Sequence, residues 1–316
     1  DFPKTTVPKA VKRKNTILSR QNTQYKDQLK YQEREREFPD LIGKSKAIIE
    51  VKDRIREDID SSTHVLILGV RGTGKRVIAN ALWTRYHKES DDSLVRVDMG
   101  TLSSNLIESE LFGHTKGSFT GAIEDKKGIL GINKDRMIFL DEIGNISLEG
   151  QQKLLSFLES GEFQRIGDHK TIVNPNVQVI AATNADVNDE SKFRPDLKDR
   201  FDEIINIPPL VERKDDIPLL VNHFLNKQET ENPVVFSREV IDKLIEHHWP
   251  GNVRELEQWV SRVVRRFRES GGEISLKDLP NRYIEDILID PNVDIYLPPL
   301  PLETDLDTFL STMKEG

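Results

Sequence analysis

Residues 69–76 read GVRGTGKR, the Gly-x4-Gly-Lys spacing with which a backbone wraps phosphate groups. The run follows a short apolar stretch and opens a helical pattern. The N–H groups of Gly72, Thr73, Gly74 and Lys75 therefore converge at a helix N-terminus, where an anion is favoured. Gly69 begins the loop, and the Lys75 ammonium neutralises β- and γ-phosphates. Phosphate loops ordinarily follow that Lys with a Ser or Thr hydroxyl for magnesium, whereas Arg76 stands here. With Arg71 it makes the loop strongly cationic, which either tightens nucleotide binding or leaves both guanidiniums in solvent. Further along, residues 137–142 (MIFLDE) form an apolar run ending in two carboxylates. Asp141 suits a Mg2+ ligand, direct or through water, and Glu142 suits the group that orients the attacking water. The chemistry these residues fit is hydrolysis of ATP with Mg2+.

Between the two motifs lies GSFTGA, residues 117–122, for which hydrolysis has no need. Gly117 and Gly121 free the backbone to turn sharply, setting Phe119 and Thr120 at the apex between Ser118 and Ala122. An aromatic ring at a loop tip is costly to leave in water, so it implies contact with something else. With its neighbours, this loop closely resembles the signature loop of the sigma-54 activators. These are bacterial enhancer-binding ATPases of the AAA+ superfamily, whose loop grips sigma-54 RNA polymerase. Most of that family has Ala where this chain has Ser118.

The resemblance implies roles for further residues. Thr183-Asn184 closes a core strand where AAA+ proteins keep a polar sensor of the γ-phosphate; Asn184 is the candidate, a turn-forming Asn the plainer reading. FRPDLKDRF at 193–201 is similar to the family segment whose two arginines reach a neighbouring subunit's nucleotide, here Arg194 and Arg200, with surface salt bridges the competing role. WPGNVREL at 249–256 presents Arg254 as the second sensor, which ties the lid to the γ-phosphate. Arg165-Ile166-Gly167 matches a second pore loop that supports the first. The family usually reads GESGTGKE at the phosphate loop, so Val70, Arg71 and Arg76 depart from it. It also usually has an Asn that donates to the water-orienting Glu, where registration on SELFG (109–113) puts Asp98. An ionised Asp has acceptors only, so Asp98 and Glu142 are expected to repel or share a proton, altering or displacing the switch.

Elements must position these groups. Apolar runs at 64–69, 94–97, 137–140 and 177–182 alternate with helical patterns, among them 76–87 and 151–160, which predicts a parallel sheet covered by helices. After Pro208-Pro209 the strands cease, and 215–226, 238–248 and 253–269 read as three amphipathic helices of a lid. The expected organisation is a linker and signalling helix at 1–38, an AAA+ α/β core at 39–210, an α-helical lid at 211–281 and a connector at 282–316. Within the first segment, residues 17–37 read equally as a signalling helix or a solvated charged one.

With 316 residues the chain has room for a core and a smaller module, and its start at Asp1 reads as a segment of a longer protein. No apolar run approaches the ~18 residues that span a membrane, and the polar, basic start is no secretory signal, so a cytoplasmic place is expected. Zero Cys excludes disulfides and thiolate metal sites. A net charge of −8 argues against a main DNA-binding surface here, since phosphate neutralisation needs clustered Lys and Arg.

The resemblance implies an AAA+ P-loop ATPase that assembles into a ring, by family habit a hexamer, and remodels sigma-54 RNA polymerase holoenzyme to drive open-complex formation. DNA binding would belong to a C-terminal helix-turn-helix domain outside this segment. Two rivals stand beside it: a nucleotide-binding switch with little turnover, motivated by Asp98 and the altered loop, and an AAA+ remodeller of another protein, motivated by Ser118.

Overall fold

A computed structural model of the chain describes residues 36–288 except 58, 61, 87–93, 133–135, 175 and 229. Its centre is a parallel sheet of β1 (Val65–Leu68), β2 (Val95–Asp98), β3 (Met137–Asp141), β4 (Gln178–Thr183) and β5 (Glu203–Asn206), in spatial order β2-β3-β4-β1-β5. The middle strands read as unbroken apolar runs because both their faces are covered. Alternation still sorts them. Leu66, Ile138, Leu140, Val179 and Ala181 pack with α3 (Ser104–Phe112) and α4 (Leu148–Ser160). Ile67, Phe139, Ile180 and Ala182 point the other way, onto α1 (Lys46–Glu57) and α2 (Lys75–Tyr86).

The lid has its own apolar core. Helices α5 (Ile217–Lys227), α6 (Arg238–Glu246), α7 (Asn252–Arg266) and α8 (Asn281–Leu288) bury Phe224, Leu244, Trp249, Trp259 and Tyr283 together. The lid differs from expectation in two ways. A short parallel ladder joins Val234–Phe236 to Gly272–Ile274. The helical part also runs past residue 281, because Tyr283 and Ile287 of α8 complete the apolar core. Asp216, fully buried, joins lid to core: its carboxylate accepts from Lys44 N, Ser45 N and Ser45 Oγ at 2.6–2.7 Å.

The four strands read from the sequence are present within a residue or two of their expected bounds. Among the elements that went unread are β5, α1 and α3. The stretch expected as a linker and signalling helix lies outside the described residues but for 36–38, as does most of the 282–316 connector. Among the described residues no helix is long and apolar enough to cross a membrane.

Candidate active site

A cleft of about 630 Å³ opens at the carboxyl ends of β1, β2, β3 and β4, roofed by the start of α7. Lining it are Gly72, Gly74, Lys75, Arg76, Asp98, Asp141, Glu142, Asn184 and Arg254. Strands contributing consecutive apolar residues deliver their last polar residue to one edge, which is how positions far apart in sequence converge.

The glycine loop turns through positive φ at Gly72 (84°) and Gly74 (108°), conformations that a side chain resists. A Cβ at Gly74 would meet nothing within 4 Å, so the loop backbone is open to the cleft. Lys75 is buried to 7% exposure; its Nζ donates to Gly69 O at 2.8 Å and lies 3.6 Å from Glu142 Oε1. Thr73 turns inward, its hydroxyl donating to Val70 O at 2.9 Å.

Glu142 carries backbone strain. Its φ of 60° and ψ of 50° are left-handed, a conformation that costs a non-glycine residue about 1–2 kcal/mol. That conformation turns the carboxylate back over the cleft, where Oε2 accepts from Asn184 N at 3.1 Å. Asn184 thus touches Glu142 through its backbone, and its side chain is exposed in the cleft.

Arg76 does not simply point into solvent. It leaves solvent on one side and bonds two carboxylates at once: Nε to Asp141 Oδ2 at 2.6 Å, and Nη2 to Asp98 Oδ2 at 2.5 Å. The Asp141 bond is the chief reason its guanidinium is held still more firmly protonated than usual, burial opposing it only in part. Asp98 and Asp141 stand side by side because they are register partners on β2 and β3. The expected pairing of Asp98 with Glu142 is therefore replaced. Asp98 Oδ2 takes Arg76 and Oδ1 accepts from Gly100 N at 3.0 Å, while Glu142 turns to Asn184 and Lys75.

The lid grips the loop by three successive carbonyl oxygens. Asn252 Nδ2 donates to Arg71 O (3.0 Å), Arg254 N to Gly72 O (3.2 Å) and Arg213 Nη2 to Thr73 O (2.7 Å). Arg213 is only 3% exposed; burial pulls its pKa down, with Asp216 opposing. Asn252 adopts φ 56° and also accepts from Leu210 N at 2.8 Å. Neither Arg213 nor the Asn252 contacts were read from the sequence. The Gly251-Asn252 pair was the available signal, since Asn is among the few side chains that tolerate that backbone.

Arg194 and Arg200 lie outside the cleft of their own chain. Arg194 forks onto Asp196, with Nη2 at 2.5 Å and Nε at 3.0 Å, and exposed Arg200 donates from Nε to Leu158 O at 3.3 Å. The Gly117 and Gly121 turns form as expected, at φ 81° and 104°. Phe119, however, is half-buried, edge-on to His114 with centroids 5.0 Å apart. Thr120 is exposed beside it, and among the described residues the large apolar side chain most open to water is Ile123, at 81%. Ser118 packs on the second loop, since a Cβ on Gly167 would lie 2.5 Å from its own, and its buried hydroxyl finds no hydrogen-bond partner. Thr115 N donates to Ile166 O at 3.0 Å, so the two loops are hydrogen-bonded to each other.

The family profile of the sigma-54 interaction domain matches residues 41–206, and that of the AAA+ ATPase lid domain matches 211–290. The chain belongs to the sigma-54 interaction domain family. It is 39% identical over 271 residues to the Nif-specific regulatory protein of Herbaspirillum seropedicae, a match covering 83% of this chain and 50% of that protein. To the anaerobic nitric oxide reductase transcription regulator NorR of Salmonella paratyphi B it is 38% identical over 269 residues, 81% of this chain and 52% of that one. The chain thus spans about half the length of the curated relatives it matches. Among solved structures, NtrX of Brucella abortus in complex with ADP superposes with TM-score 0.69 at 26% identity, covering 96% of this chain and 65% of that one. The crystal structure of the same protein with ATP gives the same values. The chain is an AAA+ ATPase domain and lid of the sigma-54 activator type, as its motifs implied.

Proposed function

We propose that this chain binds ATP and Mg2+ in the cleft, hydrolyses the nucleotide as a ring of copies, and uses the 117–122 loop to remodel sigma-54 RNA polymerase holoenzyme. The observation that carries the reading is the convergence of Lys75, Asp141, Glu142, Asn184 and Arg254 on one cleft beneath a glycine loop. An open loop backbone, a buried ammonium and adjacent carboxylates fit a metal-bound triphosphate. Asp141 is the residue that would hold Mg2+, which when bound supplies positive charge to the phosphate oxygens.

Lys75 stays within reach of both Gly69 O and Glu142, so it can exchange the carbonyl for a phosphate with little movement. Glu142, fixed by its backbone and by Asn184 N, would orient the attacking water from the wall of the cleft. Arg254 is exposed in the cleft two residues beyond Asn252, so a change at the γ-phosphate would shift the lid through the three carbonyl contacts. Arg194 and Arg200, absent from their own cleft, would complete a neighbour's site; this supports the ring. The joined 113–123 and 165–167 loops provide a single body for the cycle to displace.

A second reading, a nucleotide-binding switch with slow turnover, draws on the bond between Arg76 and Asp141. The test is capture of purified sigma-54 by the chain with ADP–aluminium fluoride. The main reading expects a complex on gel filtration that Phe119→Ala and Thr120→Ala both abolish. Normal ATP hydrolysis with no complex under any nucleotide would overturn the sigma-54 assignment.

A further inference from the structure

The guanidinium of Arg76 sits where the chemistry of the site has most use for a cation. Both β2 and β3 end in Asp, and the register sets Asp98 opposite Asp141. Two carboxylates on adjacent strand ends repel unless a positive charge lies between them. Arg76 is that charge, one bond to each, and it is half exposed on the cleft side. A Ser or Thr at this position would offer a lone pair to a metal ion; a guanidinium has five donors and no acceptor. Arg76 cannot ligate a divalent cation, and it bonds Asp141 Oδ2, an oxygen such a cation would use. Asp98 adds a second feature. Its Oδ1 is anchored by Gly100 N, which leaves Oδ2 facing Arg76 independently of Asp141.

We propose that Arg76 is a resident counter-ion that a divalent cation displaces from Asp141, and that Asp98 is the carboxylate that retains Arg76 after the exchange. The inference rests on the nucleotide-site reading and concerns how that site admits its metal. Arg76 competes with the metal at Asp141, while Asp98 assists the metal by drawing Arg76 away. The two residues therefore act with opposite sign on metal affinity, although they form one ion pair.

The test is Mn2+ binding to the full chain with saturating ADP, followed by electron paramagnetic resonance, with ADP affinity in EDTA measured alongside by calorimetry. Arg76→Ala is expected to tighten Mn2+ about fivefold, the scale of one charge-assisted bond that is half screened by solvent. Arg76→Gln, which keeps most of the side chain, should move the same way. Asp98→Asn should weaken Mn2+ by a similar factor, because Arg76 then has Asp141 alone. In the double variant Arg76→Ala/Asp98→Asn, the Asp98 effect should shrink to the smaller through-space loss of one negative charge beside Asp141. Equal Mn2+ affinity in the chain with and without Arg76 would overturn the exchange. So would an Asp98→Asn loss as large without Arg76 as with it, since Asp98 would then act on the metal directly and not by drawing Arg76 away. Failure of all four variants and the unchanged chain to bind ADP, with or without Mn2+, would instead remove the nucleotide site, and the exchange with it.

Discussion

Replacing Asn252 by Ala isolates the joint between lid and phosphate loop. The residue is 3% exposed and sits at φ 56°. Its side chain accepts from Leu210 N at 2.8 Å and donates to Arg71 O at 3.0 Å. Alanine pays for the left-handed backbone about 1 kcal/mol that Asn partly escapes. It also orphans the N–H of Leu210, itself fully buried, at about 1–3 kcal/mol. Arg71 O loses a donor at the exposed rim, where water substitutes, so that part is small. The sum is about 3 kcal/mol, or roughly a 6–12 °C fall in Tm for a domain of this size. Asn252→Gly removes the same hydrogen bonds without the strain and should be about 1 kcal/mol milder than Ala. Thermal melts by circular dichroism on the three proteins provide the comparison. An Ala variant within about 0.5 kcal/mol of the unchanged chain, or a Gly variant as damaged as Ala, would refute this account of the joint.

Other outcomes follow from single contacts. In Gly72→Ala the new Cβ would lie 2.2 Å from Gly251 O at φ 84°, so the variant should lose ADP affinity at least tenfold while far-ultraviolet dichroism stays native; calorimetry reads it. Ser118→Ala removes a buried hydroxyl without a partner, so stability should hold or rise by up to about 1 kcal/mol, measured by urea unfolding. His64 Nδ1 accepts from Val179 N, and burial holds its pKa below 6.5, helped by Arg200 and opposed by Asp202. The folded chain therefore binds fewer protons at this site than the unfolded one just below pH 6.5. Its contribution is full above that pH and shrinks as pH falls, and His64→Gln should flatten that part of the stability profile.

Much of the fold was legible because a parallel sheet covered on both faces leaves unbroken apolar runs such as MIFLD and QVIAAT. Strand β5 (EIIN), with only two apolar residues between polar ends, carries too little pattern to separate from a loop. The cleft residues were legible for a different reason: a phosphate loop and a paired-carboxylate strand end have fixed local spacing. Arg76 was visible as a departure, but its partners depend on the register of β2 against β3, which no local pattern encodes. The same holds for the lid contacts of Arg213 and Asn252, which link residues 140 and 181 positions apart. At the 117–122 loop the two glycine turns form as expected, while Phe119 at the tip is half-buried. His114 offers Phe119 a ring to pack on, which leaves Ile123 as the apolar group in water.

The central claim is that active sites form between copies, and the most direct measurement is specific ATPase activity against protein concentration. The expected result is activity that rises steeply with concentration, disappears in Arg200→Ala and in Glu142→Gln, and returns in part when the two inactive variants are mixed. Each variant then supplies what the other's site lacks. Activity independent of concentration, or an Arg200→Ala chain as active as the unchanged one, would contradict the account.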